Sequence, residues 1–323
     1  MYTLVGLSYG RENEYKRIIL AILSFQAWYS GPKNSFRIVI FTDNSDYFEP
    51  YFNGINVEYV SLNNDKIVQM KGSLGFIHNV KIAVIKEAFA AYQHDSLLFL
   101  DSDIFFIADP ISMLTKISSG NSVMHSREYA LEERRYSVSE GNAPKLFLDL
   151  IDRQTFLTSH GEEKFYSSQF SWNSGVLGIP ANLADSMADI SKLTQVFFSS
   201  SSWHVSEQLA FSLILQTRTV VHASEKYIYH YWPNNKKVDI DIILHEKIND
   251  KFARLDCEKK YLLIKGLTSE MVLREYTMDA FNKGDIATAY KLSFLYLLKN
   301  KFNLKFVKDV LYNTKKYLYE RHR

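Results

Sequence analysis

Apolar positions recur along this chain with two periods, and the switches between them mark its elements. Residues 2–8 form a short apolar run ending at Gly6-Leu7-Ser8-Tyr9-Gly10, which reads as a strand. Behind it Tyr15, Ile18, Ile19, Ile22, Phe25 and Tyr29 recur at helical spacing until Gly31-Pro32 stops them. Residues 36–41 predict a second strand, closed by Thr42-Asp43-Asn44, and residues 55–62 alternate as a third. Residues 75–93 predict a helix whose buried side is Ile77, Val80, Ile82, Val84, Ile85 and Ala88, with Lys81 among them. Leu97, Leu98, Phe99 and Leu100 are consecutive and apolar, as in a strand covered on both faces, and residues 104–107 are expected to continue it. A short helix over 111–117, strands over 122–126 and 176–179, a helix over 206–215 and a last strand at 220–222 complete the pattern. Alternation of this kind predicts an α/β fold with a doubly wound or related sheet.

Residues 127–170 break the pattern, with Glu132-Glu133-Arg134-Arg135 and a polar run over 137–142. An excursion of that length either covers a site, as lids and binding loops do, or is a surface insert. Beyond residue 245 helical spacing dominates, interrupted at Gly284-Asp285. The expected division is an α/β catalytic domain over 1–244 and a helical extension over 245–323.

Composition narrows the class. The chain has 323 residues, 46% hydrophobic and 23% charged, as a folded globular protein has. A net charge of +2 gives no global argument for nucleic acid, which is not an expected partner. A single cysteine, Cys257, excludes an intrachain disulfide and agrees with a reducing compartment. No basic residue precedes Arg11, the wrong order for a secretory signal, so the expected location is the cytoplasm. Charge is uneven, however. From Lys299 to the end there are eight Lys or Arg against two acids, interleaved with Phe302, Leu304, Phe306, Val307, Leu311, Tyr317 and Leu318. Such a tail either rests peripherally on the inner face of an anionic membrane or is a solvated basic helix.

The candidate chemistry centres on Asp101-Ser102-Asp103, directly after the most apolar strand. At strand spacing both carboxylates project to one side, and two anions that close call for a cation. Hard divalent ions such as Mn²⁺ or Mg²⁺ prefer oxygen ligands of this kind. An Asp-x-Asp triplet arises about once by chance in a chain this long, and Asp239-Ile240-Asp241 repeats the form without an apolar strand before it. Four other stretches carry chemistry-bearing residues. Lys81 either snorkels or reaches a ligand. Trp172-Asn173-Ser174-Gly175 places short polar groups beside a backbone that a ligand can approach. Glu207-Gln208 opens a helix, where an acid is ordinarily a dipole partner. His230 precedes Lys236 by six residues across a turn containing Pro233. No Gly-x-Gly-x-x-Gly or Walker-type loop is present, which disfavours a Rossmann dehydrogenase or a P-loop enzyme.

In that order these stretches resemble a nucleotide-sugar glycosyltransferase of the GT-A fold, of the glycogenin-like and bacterial galactosyltransferase-like group, over residues 1–240, which implies a Rossmann-like mixed sheet flanked by helices. The resemblance implies that Asp101 and Asp103 hold Mn²⁺ or Mg²⁺ against the donor diphosphate, with His230 as a further ligand and Lys236 on phosphate. It implies that Leu7, Ser8 and Tyr9 meet the base, Asp43 the base or ribose, and Lys81 and Ser102 the donor. Asn173 and Ser174 would touch the donor sugar, with Glu207 and Gln208 near the reacting carbon. A UDP-sugar is the favoured donor, and the acceptor is a glycan, glycolipid or protein. The group leans to retention, so the expected activity is that of a retaining hexosyltransferase. Where the family has a glycine between His230 and Lys236, this chain has Pro233. Two other classes stay open: a carbohydrate or nucleotide-sugar binding module without turnover, and a haloacid-dehalogenase-like phosphotransferase, which usually carries its Asp-x-Asp on the first strand.

Overall fold

The computed structural model describes residues 1–299 and 304–321. The amino-terminal half comprises β1 (Tyr2–Ser8), α1 (Glu12–Trp28), β2 (Phe36–Thr42), α2 (Glu49–Phe52), β3 (Val57–Ser61), α3 (Asn64–Lys71), α4 (Asn79–Ala91), β4 (Ser96–Leu100), β5 (Ile104–Phe106), α5 (Ile111–Leu114) and β6 (Asn121–Met124). The excursion contributes β7 (Arg127–Ala130), α6 (Ala143–Arg153), the β8 (Phe156–Thr158) and β9 (Gly161–Glu163) hairpin, and β10 (Phe170–Trp172). Then follow β11 (Val176–Ile179), α7 (Ser186–Ser201), α8 (Ser206–Arg218), β12 (Val220–Ala223), β13 (Ile228–His230) and α9 (Asn234–Lys247). Four more helices end the chain: α10 (Asp250–Ala253), α11 (Cys257–Asn282), α12 (Ile286–Lys299) and α13 (Leu304–Arg321).

Seven strands form one sheet in the order β12-β6-β11-β4-β1-β2-β3. Every neighbouring pair in it is parallel except the two made by β11, which runs antiparallel to β4 and β6. The expected mixed α/β fold is therefore what the chain adopts. Alternation decides which side each residue faces. Val5, Val39, Phe41, Leu97 and Phe99 share a buried cluster with α4, α6, α7 and α8. Leu4, Ile38, Ile40, Leu98 and Leu100 share the other with α1, α9 and α11. With both faces covered, the strands have no polar face to show, and their sequences read as unbroken apolar runs.

Four expectations change. First, β4 stops at Leu100, and Asp101-Ser102-Asp103 is a turn rather than the strand's continuation. β5 leaves the central sheet and pairs antiparallel with β13, Ile104 opposite His230 and Phe106 opposite Ile228. Ser24 Oγ accepts from Phe106 N at 2.9 Å and so holds β5 against α1. Second, α4 starts at Asn79, so Ile77 precedes it and is 45% exposed rather than buried. Third, the excursion is built rather than irregular, because Phe147, Leu148 and Ile151 of α6 enter the same core as Phe197 of α7. Fourth, α9 runs through the expected boundary at 244/245, and Ile240, Leu244, Ile248, Phe252, Ile264 and Met271 pack in one cluster with α1.

The expected break at Gly284 stands between α11 and α12, where φ is +73° and a side chain would be strained. Of the basic tail, residues 300–303 and 322–323 lie outside the described residues. Leu304, Leu311, Tyr312, Leu318 and Tyr319 of α13 are exposed. Among the described residues no helix is long and apolar enough to cross a membrane.

Candidate active site

The Asp101-Ser102-Asp103 turn is fixed by backbone on both sides. Asp101 N donates to Gly175 O at 2.9 Å, and Tyr231 N donates to Asp103 O at 3.0 Å. Between them Ser102 Oγ donates to Glu14 Oε2 at 2.6 Å, which ties the turn to α1. The β5–β13 pairing carries His230 to Asp103 across 127 residues, with Nε2 3.2 Å from Asp103 Oδ1. Asp101, Asp103 and His230 each offer one ligand atom, all within 4.8 Å of one another.

Hydrogen bonding decides which ring nitrogen is free. Asn173 Oδ1 accepts from Gly175 N at 3.0 Å, while its Nδ2 donates to Glu128 Oε1 at 3.2 Å, so the amide orientation is set. His230 Nδ1, 2.9 Å from that Oδ1, must therefore be the donor. That leaves Nε2, on the Asp103 side of the ring, as the nitrogen that could ligate a cation. A metal-binding histidine ordinarily donates its second N–H to a fixed acceptor in this way. Two carboxylates and an imidazole fit a hard to intermediate divalent ion. The ring stands where it does because residue 175 is glycine: a Cβ there would lie 2.3 Å from His230 Cε1. His125 meets the same ring edge-on, at a centroid distance of 5.2 Å, and burial pushes it down to about 3, so it is neutral.

Behind the acids lies a buried lysine. Lys81 Nζ is 3.1 Å from Asp101 Oδ2 and 3.5 Å from Glu207 Oε1, and it donates to Ser174 O at 3.2 Å and Ser174 Oγ at 3.3 Å. Of the two readings for Lys81, snorkelling to solvent is not the one adopted. Burial disfavours its ammonium, but Asp101 and Glu207 more than compensate and its pKa is raised. Glu207 is 3% exposed, and burial lifts its carboxyl to about 7 against the pull of Lys81, with Asp101 adding to the rise. Burial raises the Asp101 carboxyl too, opposed by Lys81 and assisted by Asp103. Burial would also raise Asp103, yet the His230 hydrogen bond and charge, with Lys237, bring it below the ordinary carboxylate range.

These groups sit in an open cleft of about 1020 Å³ at the carboxyl ends of β1 and β4, where open α/β sheets place ligands. Leu7, Ser8, Tyr9, Lys81, Asp101, Ser102, Asp103, Asn173, Ser174, Glu207, Gln208 and His230 all line it. Two expected residues do not. Asp43 accepts from Gly10 N at 3.0 Å and from Tyr15 Oη at 2.7 Å, so it shapes the β1–α1 loop from behind. Lys236 turns to α11, 2.9 Å from Glu275 Oε2 and 3.4 Å from Asp279 Oδ1. Its neighbour Lys237 lines the cleft instead, 2.6 Å from Asp103 Oδ2.

Some lining residues escape sequence reasoning. Glu128 accepts from Gln208 Nε2 at 2.8 Å and from Ser171 Oγ at 3.2 Å, besides Asn173. Tyr129, Arg134 and Glu140 of the excursion and the exposed Trp232 form the outer wall. Only the irregularity of 127–170 hints at the first three. The second Asp-x-Asp serves the scaffold, since Asp241 takes a bidentate pair from Arg17, Nε and Nη2 both at 2.7 Å.

No protein-family model matches the chain, and no curated protein matches it. Solved structures do resemble it. They include the galactosyltransferase LgtC with donor and acceptor sugar analogues, at 13% identity over 68% of this chain and 72% of that one, TM-score 0.46. Mouse xyloside xylosyltransferase 1 is similar at 9% identity over 69% and 84% of the two chains, TM-score 0.43. The Streptococcus pneumoniae glycosyltransferase GlyE is similar at 12% identity over 80% and 62%, TM-score 0.45. All three carry glycosyltransferase names.

Proposed function

We propose that the protein is a metal-dependent glycosyltransferase that moves a sugar from a nucleotide-diphosphate sugar to an acceptor hydroxyl. One observation carries the reading: Asp101, Asp103 and a His230 oriented through Nδ1 by Asn173 converge in a cleft at the sheet's carboxyl edge. A divalent ion held by these three would supply positive charge to the leaving diphosphate. The chain's own residues do the rest. Asn173 orients His230 through Nδ1, and Gly175 makes room for the ring. Lys81 balances Asp101 and Glu207 from behind. Leu7, Ser8 and Tyr9 wall the place for the nucleotide, with UDP favoured, and Asn173 and Ser174 the place for the donor sugar.

Glu207 lies behind Lys81 with 3% of its surface exposed, which suits stabilising charge at the reacting carbon better than taking a proton from an incoming acceptor. Gln208, fixed by Glu128 and Ser171, lines the donor's face. Retention of configuration follows more naturally from that pair. Tyr129, Arg134, Glu140 and Trp232 would meet a glycan, glycolipid or protein acceptor. The exposed Leu304, Leu311 and Leu318 alternate on α13 with Lys308 and Lys315, a face suited to peripheral contact with the inner leaflet of a cytoplasmic membrane.

The test is a panel of nucleotide sugars, incubated with and without Mn²⁺ and assayed for release of nucleoside diphosphate. Metal-dependent release from one donor is expected, and Asp103→Ala should abolish it. Binding of a donor with no turnover across acceptors would make the chain a binding module, and release of phosphate from phosphomonoesters would refute the proposal.

A further inference from the structure

Two consecutive lysines at the start of α9 face opposite ways. Lys236 is engaged by Tyr229, Glu275 and Asp279, so it joins α11 to β13. Lys237 reaches into the cleft and pairs with Asp103 alone among the described residues, its side chain 28% exposed. On the other side of the turn Lys81 pairs with Asp101. Each acid thus pairs with its own ammonium. The two ammoniums are not equally free to leave. Lys81 is 9% exposed and held by Asp101, Ser174 and Glu207, whereas Lys237 has one partner, at the edge of an open cleft. Its backbone is already committed, N donating to Pro233 O at 3.0 Å, so the side chain can swing by rotamer change alone.

We infer that Lys237 is a resident counter-ion for the metal centre: it neutralises Asp103 in the ligand-free protein, yields to the divalent ion, and moves onto the donor's diphosphate. This rests on the nucleotide-sugar reading, because it requires a diphosphate. Asp103 Oδ1 faces His230 and Oδ2 faces Lys237, so a dication bound to Asp103 and His230 stands close to that ammonium. Like charges at such range repel, and metal alone therefore binds weakly. A diphosphate offers the ammonium a new partner, so metal and diphosphate each tighten the other by the same factor.

The experiment measures Mn²⁺ affinity by the electron paramagnetic resonance of the free ion, on the full chain, alone and with ADP, GDP, CDP or UDP. In the unaltered protein the diphosphate that binds should tighten Mn²⁺ about tenfold or more. In Lys237→Met, Mn²⁺ alone should bind roughly tenfold tighter, the diphosphate roughly tenfold weaker with Mn²⁺ present, and the coupling should fall roughly tenfold, leaving the direct attraction between ion and diphosphate. Lys237→Arg keeps the charge and should hold Mn²⁺ alone as weakly as the unaltered protein. In Lys236→Met the melting temperature should fall and the coupling should persist. Coupling undiminished in Lys237→Met, or Mn²⁺ alone bound no tighter by that variant, overturns the inference while leaving the function standing. If none of the four diphosphates binds with Mn²⁺ present, the nucleotide-sugar reading fails and the exchange fails with it.

Discussion

Glu207→Gln is a direct probe of the buried charge cluster. The carboxyl is lifted from its ordinary 4.5 to about 7, with burial the largest cause. Between those two values the native protein keeps a proton that the unfolded chain releases, so stability falls as the pH rises through the window. Below it both states are protonated and the effect vanishes; above it both are ionised and the full cost is present. Each tenfold change in proton affinity is worth about 1.4 kcal/mol, so the swing is roughly 3 kcal/mol. Glutamine keeps the shape and removes the titration, and Lys81 keeps Asp101 as its partner. Urea unfolding of the metal-free protein and the variant, followed by circular dichroism, should therefore show the variant gaining on its parent by about 3 kcal/mol from about pH 4.5 to about pH 8. A gap that stays flat would refute the reasoning. So would a variant that loses ground as pH rises, since the carboxylate would then be a net stabilising partner of Lys81.

Three further outcomes follow from the packing and the ion pairs. Gly175→Ala would put a Cβ 2.3 Å from the His230 ring, so the ring must leave Asp103, and Mn²⁺ affinity measured by titration should fall at least about tenfold while the fold persists. Asp241→Ala leaves the Arg17 guanidinium, 5% exposed, with Glu14 but without its bidentate partner, and should cost about 1.5–3 kcal/mol in chemical denaturation. Phe147→Ala removes a fully buried ring from α6 and should cost about 3–5 kcal/mol, whereas a loosely attached insert would lose almost nothing.

What the chain reveals before folding depends on how local the determining physics is. The central strands announce themselves because burial on both faces makes them apolar without interruption, as at Leu97, Leu98, Phe99 and Leu100. The helices α1 and α8 follow from spacing in the same way. The two acids and His230 are recognisable as types, but their convergence is not local, since it needs β5 to abandon the sheet and pair with β13. Nothing in Ile104, Phe105 and Phe106 distinguishes a strand that continues its predecessor from one that turns away. Lys236 and Lys237 differ by one step along a helix, about 100° of rotation, and partners outside that helix, Tyr229, Glu275 and Asp279 for one and Asp103 for the other, decide which faces the cleft. Asp43 looks like a ligand residue at a strand's end and is instead a clasp for Gly10 and Tyr15. The excursion is opaque because its short elements, β7 to β10, are each too brief for a period to emerge.

The account rests on a cation bound jointly by Asp101, Asp103 and His230. Crystals grown with Mn²⁺ and a nucleoside diphosphate, with data collected for manganese anomalous scattering, test it most directly. A single strong peak within ligand distance of all three side chains, with His230 Nδ1 still on Asn173 and Lys237 off Asp103, is the predicted result. A peak elsewhere, or bound diphosphate with His230 and Lys237 still on Asp103 and no peak between them, would contradict it.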